Sequence, residues 1–347
     1  MIKFSILTAL VAVAAYYLLV IRNDSLLSSR DSFLPIEPGD AVIVTGSSTG
    51  IGKHAALSLA KEGYTVFACV RKPQDGEALV EAAKRYGSVP PENIRPMLLD
   101  VADSKQISEA VETVTKYVND GHGHLKGLFN NAGIWCDYSN HPESLSVEFQ
   151  DMNSYRKVFD VNFFGLVEMT KAFLPMLRKE KGRIIMNTSI AGRLAGPFFS
   201  SYAASKHAVE GFADSLRREM LPFGVKVSVL QPGFTTTPIF KTDIFITSKE
   251  PYTQYERNFW KSFWKDAIGA PSPQVTSQAV IHAMRSPSPW TRYLVGKDKE
   301  IVSAIIKFMP DQGLDSFNLY NMERKDEIVT EQELHELVEY SKTEFPL

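Results

Sequence analysis

A phenol and an ammonium stand four residues apart at Tyr202 and Lys206, within Tyr202-Ala203-Ala204-Ser205-Lys206. Residues at i and i+4 share a helix face, so the two groups can serve one reacting atom. An unperturbed tyrosine titrates near ~10, too high for efficient proton abstraction at neutral pH. A lysine cation beside it favours the phenolate and lowers that value. Ser189 comes just after the apolar run Arg183 to Asn187. Its hydroxyl can hydrogen-bond an oxygen on which charge develops. Asn162, inside Asp160-Val161-Asn162-Phe163-Phe164-Gly165, is a polar residue within an otherwise apolar helical stretch. Together these groups suit proton transfer at the oxygen of an alcohol or a carbonyl, with a separate carrier taking or giving the hydride. Taken singly, each has a plainer reading. The Tyr/Lys pair would be surface decoration, Ser189 a turn residue and Asn162 a buried hydrogen-bonding group.

A place for the carrier lies near the start of the organised chain. Thr45-Gly46-Ser47-Ser48-Thr49-Gly50-Ile51-Gly52 follows the apolar run Ala41-Val42-Ile43-Val44 and precedes the helix-compatible stretch His54 to Lys61. Glycines at 46, 50 and 52 allow a tight turn and let a pyrophosphate approach helix N–H groups, whose positive dipole end favours an anion. The spacing departs from G-x-G-x-x-G, so a plain glycine-rich turn is the alternative.

The elements that must hold these groups alternate. Apolar, β-forming runs at Tyr64 to Val70, Ile94 to Leu99, Leu125 to Asn130, Arg183 to Asn187 and Val225 to Gln231 are separated by helical patterns. Those patterns cover Glu77 to Tyr86, Lys105 to Val118, Tyr155 to Arg178 and Ser201 to Met220. Such alternation predicts an α/β fold, a doubly wound parallel sheet with helices on both faces. No internal repeat or low-complexity tract interrupts it.

In these motifs the sequence resembles the short-chain dehydrogenase/reductase family over residues 39–238. The family's T-G-x-x-x-G-x-G is matched from Thr45 through Gly46, Ser48, Thr49, Gly50 and Ile51 to Gly52. Its N-N-A-G is matched by Asn130-Asn131-Ala132-Gly133, which borders the cofactor, and its adenine-contacting acidic residue by Asp100-Val101. Its P-G-x-x-x-T is matched by Pro232-Gly233-Phe234-Thr235-Thr236-Thr237, which holds the nicotinamide carboxamide. The resemblance implies an NAD(P)-dependent oxidoreductase acting on CH–OH groups and needing no metal. It makes Tyr202 the acid/base and Lys206 a ribose binder and pKa modulator. Ser189 then orients the substrate oxygen, and Asn162 holds a water that continues the proton relay. The same resemblance makes Tyr155 to Arg178 and Ser201 to Met220 the helices of a homodimer interface.

Coenzyme choice turns on Arg71. The second strand ends Phe67-Ala68-Cys69-Val70-Arg71, where NAD-preferring folds typically place a carboxylate for the ribose 2′-hydroxyl. A guanidinium there suits a 2′-phosphate, with Lys72 adding a second cation. NADP(H) is therefore favoured over NAD(H). Stacking of Arg71 on the adenine is the counter-reading, and the glycine loop lacks the basic residue that NADP-preferring relatives often carry.

The rest of the chain sets the surroundings. Of 347 residues, 44% are hydrophobic and 22% charged, a globular balance, and 38 basic against 40 acidic side chains leave a formal charge of -2. That excludes a nucleic-acid binder working through its global field, and it excludes a disordered chain. Two cysteines, Cys69 and Cys136, cannot make a disulfide framework. His122 and His124 read as a solvated loop.

Residues 4–21 carry no charge and lie between Lys3 and Arg22. As a helix they would reach ~27 Å, close to the hydrocarbon thickness of the endoplasmic reticulum. A single-pass anchor over 1–22 is expected, with a cleaved signal peptide or an interfacial helix as alternatives. A linker over 23–38, a catalytic domain over 39–300 and a helical extension over 301–347 follow, with Thr330 and Glu333 as a capping box. Within the domain, 238–273 is rich in aromatics, Phe259, Trp260, Phe263 and Trp264 among them. It reads as a lid over a bulky apolar substrate, or as an amphipathic helix over Asn258 to Ala267 packed on the body or a membrane.

Anchor, lid and extension resemble the retinol and hydroxysteroid dehydrogenase branch. The expected reaction interconverts a hydrophobic alcohol and its carbonyl, with a steroid, retinoid or similar lipid as substrate. Reduction of a keto-lipid intermediate and a non-catalytic cofactor-binding scaffold are the alternatives. Asn187-Thr188-Ser189 is also an N-x-S sequon. A glycan beside the active site would be incompatible with catalysis, which favours a cytosolic body.

Overall fold

Side chains alternate across a strand, so a strand buried on both faces must be apolar at every position. The run Ala41 to Val44 meets that demand. Ala41 and Ile43 join one core cluster and Val42 and Val44 the other. In the computed structural model, which describes residues 33–136, 145–239, 249–267, 269–296, 305–306 and 309–323, this strand (β1, Ala41–Val44) is the third of a seven-stranded sheet, paired on both sides. The other strands are β2 (Thr65–Val70), β3 (Ile94–Leu98), β4 (Leu125–Asn130), β5 (Arg183–Asn187), β6 (Lys226–Pro232) and β7 (Arg292–Val295). All pair in parallel in the order β3-β2-β1-β4-β5-β6-β7.

Helices α1 (Gly50–Glu62) and α2 (Pro73–Tyr86) bury their apolar residues in the cluster that holds Val42 and Val44. Helix α3 (Ser104–Asn119) packs on the opposite face, and Asp103 caps it by accepting hydrogen bonds from the Lys105 and Gln106 amides. Then come α4 (Met152–Phe159), α5 (Gly165–Lys179) and α6 (Ser200–Met220), of which α5 and α6 share that face with α3. Helix α7 (Thr253–Ala267) and α8 (Gln274–Arg285) precede β7, and α9 (Asp311–Glu323) follows it. The α8 residues Ala279, Val280 and Met284 close the first face beside α1. The expected doubly wound sheet is therefore the observed one.

Two elements differ from the sequence expectation. The single helix expected over Tyr155 to Arg178 is divided by a π-helical turn at Asp160–Phe164, with Asn162 at its centre and fully buried. Asn162 Nδ2 donates to the Ile134 carbonyl at 2.9 Å, and its Oδ1 accepts from the Ile134 amide at 2.8 Å. An inserted residue of this kind turns the side chain out of the regular helical repeat, and apolar periodicity does not register it. The apolar run Pro289 to Val295 reads in sequence as the last strand, but that strand begins at Arg292, because the Trp290 amide is taken by the Tyr293 hydroxyl at 2.9 Å.

The anchor expected over residues 4–21 and the capping box at Thr330 and Glu333 lie outside the described residues. Among the described residues no helix is long and apolar enough to cross a membrane. His122 and His124 are exposed, as expected of a solvated loop.

Candidate active site

Chain leaves β1 toward one edge of the sheet and β4 toward the other, so a crevice opens where their carboxyl ends meet. There the glycine loop and the segment after β4 are clasped together. Thr45 Oγ1 accepts from the backbone amides of Asn131 and Ala132, each at 2.9 Å. Asn131 Nδ2 donates back to the carbonyls of Thr45 and Gly46 at 2.9 and 3.2 Å. Gly46 needs its glycine, with φ +67° and the Ala132 Cα only 2.9 Å from where a Cβ would stand. Gly52 packs its backbone on the Gly46 carbonyl, which a Cβ would approach to 2.2 Å.

A cavity of about 400 Å³ runs from this clasp along the carboxyl edge of the sheet. At one end it is lined by Gly46, Ser48, Thr49, Gly50 and Ile51, with Arg71 after β2 and Asp100 and Val101 after β3. Asn131, Ala132, Gly133, Pro232, Gly233, Thr235 and Thr237 line its middle, beside Ser189, Tyr202 and Lys206. Three expected site residues stand behind the wall instead. Thr45 and Gly52 shape the loop, and Asn162 packs behind Gly133 and Ile134, where it also donates to Ser205 Oγ at 3.0 Å. No side chain caps α1 at Thr49, and no acidic residue stands in its first turn. Free amides, a positive dipole end and a close backbone cradle fit the pyrophosphate of a dinucleotide.

The proton-transfer groups converge beside this cradle. Tyr202 and Lys206 are both buried on α6, with Lys206 Nζ 5.5 Å from the Tyr202 ring centre. Lys206 Nζ donates to the Asn187 carbonyl at 2.9 Å, and Asn187 Nδ2 donates to Asn131 Oδ1 at 2.9 Å. The expected electrostatics are reversed in the protein alone. Burial pushes the Tyr202 phenol up to about 12, against a hydrogen bond from Ser189 that lowers it. Burial likewise brings Lys206 down to about 8. Desolvation outweighs the neighbouring charge here because neither group reaches water and the ammonium lies over the ring rather than at the hydroxyl.

Beyond Tyr202 the cavity is aromatic. Trp135, Phe199, Phe234, Ile239 and Phe263 line it, together with Ala267 and Ala270. Trp135 meets Phe199 edge-on at 4.0 Å between ring centres and lies 4.9 Å from the ring of Tyr202. The helical pattern noted over Asn258 to Ala267 begins earlier, at Thr253. Its Phe259 and Trp260 are buried against Phe198 and Phe199, so its apolar face covers the body. Phe198 takes the left-handed φ of 62°, a strained setting for an aromatic residue that this packing sustains. Asn258 Nδ2 donates to the Met322 carbonyl at 2.8 Å and ties α9 to α7.

Sequence reasoning missed Trp135, Phe199 and Phe234 as lining residues. Two of them had a readable signal: Trp135 follows Gly133 by two residues and Phe234 lies inside the P-G segment. Cys69 and Cys136 are buried thiols outside any disulfide, and burial pushes the Cys69 thiol up. Among the described residues no group of three His, Cys, Asp or Glu is placed to hold a metal ion.

A parallel sheet of this order, an anion cradle at its switch point and a buried Tyr/Lys/Ser cluster define an oxidoreductase acting on CH–OH groups. The short chain dehydrogenase family profile matches residues 40–244, and the chain belongs to that family, whose members use NAD(P). It is 35% identical over 271 residues to the mitochondrial D-beta-hydroxybutyrate dehydrogenase of Rattus norvegicus, covering 74% of this chain and 76% of that protein. It is 32% identical over 324 residues to estradiol 17-beta-dehydrogenase 2 of Mus musculus, covering 88% and 79%. A solved short-chain dehydrogenase from Streptomyces avermitilis superposes with a TM-score of 0.61 at 25% identity, covering 83% of this chain and 96% of that one.

Lys206 carries a stability signature. Between about pH 8 and the usual 10.5, the unfolded chain holds the Lys206 proton and the folded chain does not. Stability from this residue therefore rises with pH across that interval. Urea unfolding of wild type and Lys206→Met checks the sign. From about pH 7.5 to about pH 9.5, wild type is expected to gain roughly 1–3 kcal/mol relative to the variant. Equal responses would mean that the ammonium is solvated.

Proposed function

We propose that the protein interconverts a hydrophobic alcohol of steroid or retinoid bulk and its carbonyl, with NADP(H) as the hydride carrier. The aromatic end of the cavity carries this reading. Beyond Tyr202 its described lining holds no charged side chain. A buried carboxylate of a small hydroxy acid would lack a cation there, whereas a flat apolar molecule gains from burial against Trp135, Phe199 and Phe263. The hydroxybutyrate dehydrogenase relative is named for such an acid, and the estradiol dehydrogenase relative for a steroid.

Bound NADP(H) supplies the hydride acceptor or donor. Backbone at Gly46 to Ile51 would hold its pyrophosphate, Asp100 and Val101 its adenine, and Pro232 to Thr237 its carboxamide side. Ser189 holds the substrate oxygen while the Tyr202 hydroxyl gives or takes the proton there. Lys206 keeps a cation next to the phenol and binds the ribose. Asn162 fixes Ile134 behind the site and serves the proton relay from that position.

A preference for NADP(H) is supported by Arg71, exposed after β2 and lining the cavity, where no carboxylate follows the strand. We further propose that residues 4–21 anchor the chain in the endoplasmic reticulum membrane with the body in the cytosol. In support, Asn187 of the sequon is buried and its amide nitrogen already bonded to Asn131, so a glycan has no room. The segment 238–273 acts as the substrate lid, and 301–347 is a C-terminal extension of the domain. A homodimer through α4–α5 and α6 is supported by the half-exposed Phe164 on that face. Light scattering on the chain without residues 1–30 tests the dimer, and carbonate extraction with protease protection tests the anchor.

Turnover of steroid, retinoid and 3-hydroxybutyrate panels with both coenzymes tests the function. Wild type is expected to act on the bulky alcohols, and Tyr202→Phe to lose about 10²–10⁴-fold in rate while still binding coenzyme. Activity confined to 3-hydroxybutyrate would refute the substrate class, and a full-rate Tyr202→Phe the acid/base role. For the coenzyme, Arg71→Ala should weaken NADPH by about 2–3 kcal/mol and leave NADH nearly unchanged. Equal losses would show that Arg71 stacks on the adenine.

A further inference from the structure

Glu210 lies one turn beyond Lys206 on α6 and is buried. A carboxylate in that setting persists only where hydrogen bonds replace water. Its Oε1 accepts from Thr188 Oγ1 at 2.8 Å and from Gln231 Nε2 at 2.8 Å. Its Oε2 accepts from Arg292 Nε at 2.9 Å, and Arg292 Nη2 reaches Asp214 Oδ2, one turn further along α6, at 3.0 Å. The three donors come from three different parts of the sheet. Thr188 directly follows β5 and directly precedes Ser189. Gln231 sits in β6 directly before Pro232 and Gly233. Arg292 opens β7. Thr188 is further held by its amide to the Leu230 carbonyl at 2.8 Å. The bonds of one carboxylate therefore join the helix of Tyr202 and Lys206 to the two strand ends that face it.

We infer that Glu210 is a positioning residue: its carboxylate fixes α6 against the ends of β5 and β6 and so sets the separation of Ser189 from Tyr202. This rests on the assignment of Tyr202 as acid/base and Ser189 as its partner. Glu210, Gln231 and Arg292 do not line the cavity, so they act through the residues they hold. The charged groups bonded at the carboxylate are Arg292 on β7 and, through it, Asp214 on its own helix, while Lys206, one turn back on α6, turns its ammonium to the Asn187 carbonyl.

A merely structural ion pair and a positioning residue differ in one readout. The Ser189 hydroxyl is the interaction that opposes burial at the Tyr202 phenol. If Thr188 and Glu210 hold Ser189 in place, loosening them must move the pH at which the phenol works. Structural support alone would lower the melting temperature and leave that pH unchanged.

The test uses the full chain with NADP(H) and the best alcohol from the activity panel. Glu210→Gln keeps the side-chain shape and removes the charge. Thr188→Val keeps the β-branched shape and removes the hydroxyl, which bonds both Glu210 Oε1 and the Leu230 carbonyl. Each is compared with wild type for melting, NADPH binding by tryptophan fluorescence, and the pH profile of kcat/KM for alcohol oxidation. In Glu210→Gln, kcat is expected to fall about tenfold, since small misplacements of reacting groups are costly. In Thr188→Val the fall is a few fold. In both, the rising limb of the profile moves to higher pH, with the NADPH Kd within about twofold of wild type. If Glu210→Gln does not fold, the limb of Thr188→Val decides alone. Wild-type kcat and an unmoved limb in the folded variants overturn the inference, whatever their melting temperatures. Tyr202→Phe is assayed alongside. Full turnover there removes the acid/base assignment itself, whereas lost turnover with unmoved limbs elsewhere removes only the positioning role.

Discussion

Thr45 and Gly46 share four hydrogen bonds with Asn131 and Ala132 across the point where the chain departs from β1 and β4 in opposite directions. The crevice at that point is a consequence of right-handed crossovers, and every α/β sheet of this order has one. What the clasp adds is a fixed width. With the loop carbonyls of Thr45 and Gly46 turned inward to Asn131, the amides at the start of α1 are left facing the cavity. Asn131 then passes the constraint on. Its Oδ1 holds Asn187, and the Asn187 carbonyl holds Lys206. The glycine loop and the Tyr202/Lys206 pair are thereby parts of one bonded framework.

That framework explains how an ammonium and a phenol can be buried together. An isolated buried lysine would shed its proton, and Lys206 is partly driven that way. Among the described residues its hydrogen bond goes to a backbone carbonyl and no carboxylate pairs with it. The site therefore keeps a cation whose charge is undamped, next to a phenol that burial holds protonated. A ligand that closes the cavity would sharpen every one of these interactions, because the effective dielectric falls as water leaves. The pair is balanced by desolvation in the protein alone and is set up to respond to what binds.

Much of this was legible in the sequence, for a physical reason. Strands buried on both faces read as apolar runs, so Ala41 to Val44 and the Ile184 to Met186 stretch of β5 announced themselves by composition. Tyr202 and Lys206 share a helix face by spacing alone. Other features depend on contacts far apart in the chain. The π turn around Asn162 exists to bring its amide to Ile134, and no local pattern encodes that pairing. Arg183 at the head of β5 looks out of place in an apolar strand until its guanidinium reaches the Ser286 carbonyl at 3.0 Å. The aromatic wall was visible as a set of residues after Pro238, but Trp135 and Phe199 come from two other segments. Only packing shows that they meet Trp260 and Phe263.

The direction of the electrostatics is the instructive miss. Spacing correctly put a cation next to a phenol, and the inference that the phenol is thereby acidified follows for a solvated pair. Spacing carries no information about depth. Both groups are almost fully buried, and the penalty for charging either one in such surroundings exceeds the attraction of a charge seated over the ring face. What opposes burial at Tyr202 is the neutral Ser189 hydroxyl. A hydroxyl bond is short-ranged and directional, so its effect depends on how the end of β5 is placed, whereas a charge acts over a longer range. The placement of Ser189 after β5 against Tyr202 on α6 is therefore a feature that residue spacing along one helix could not reveal.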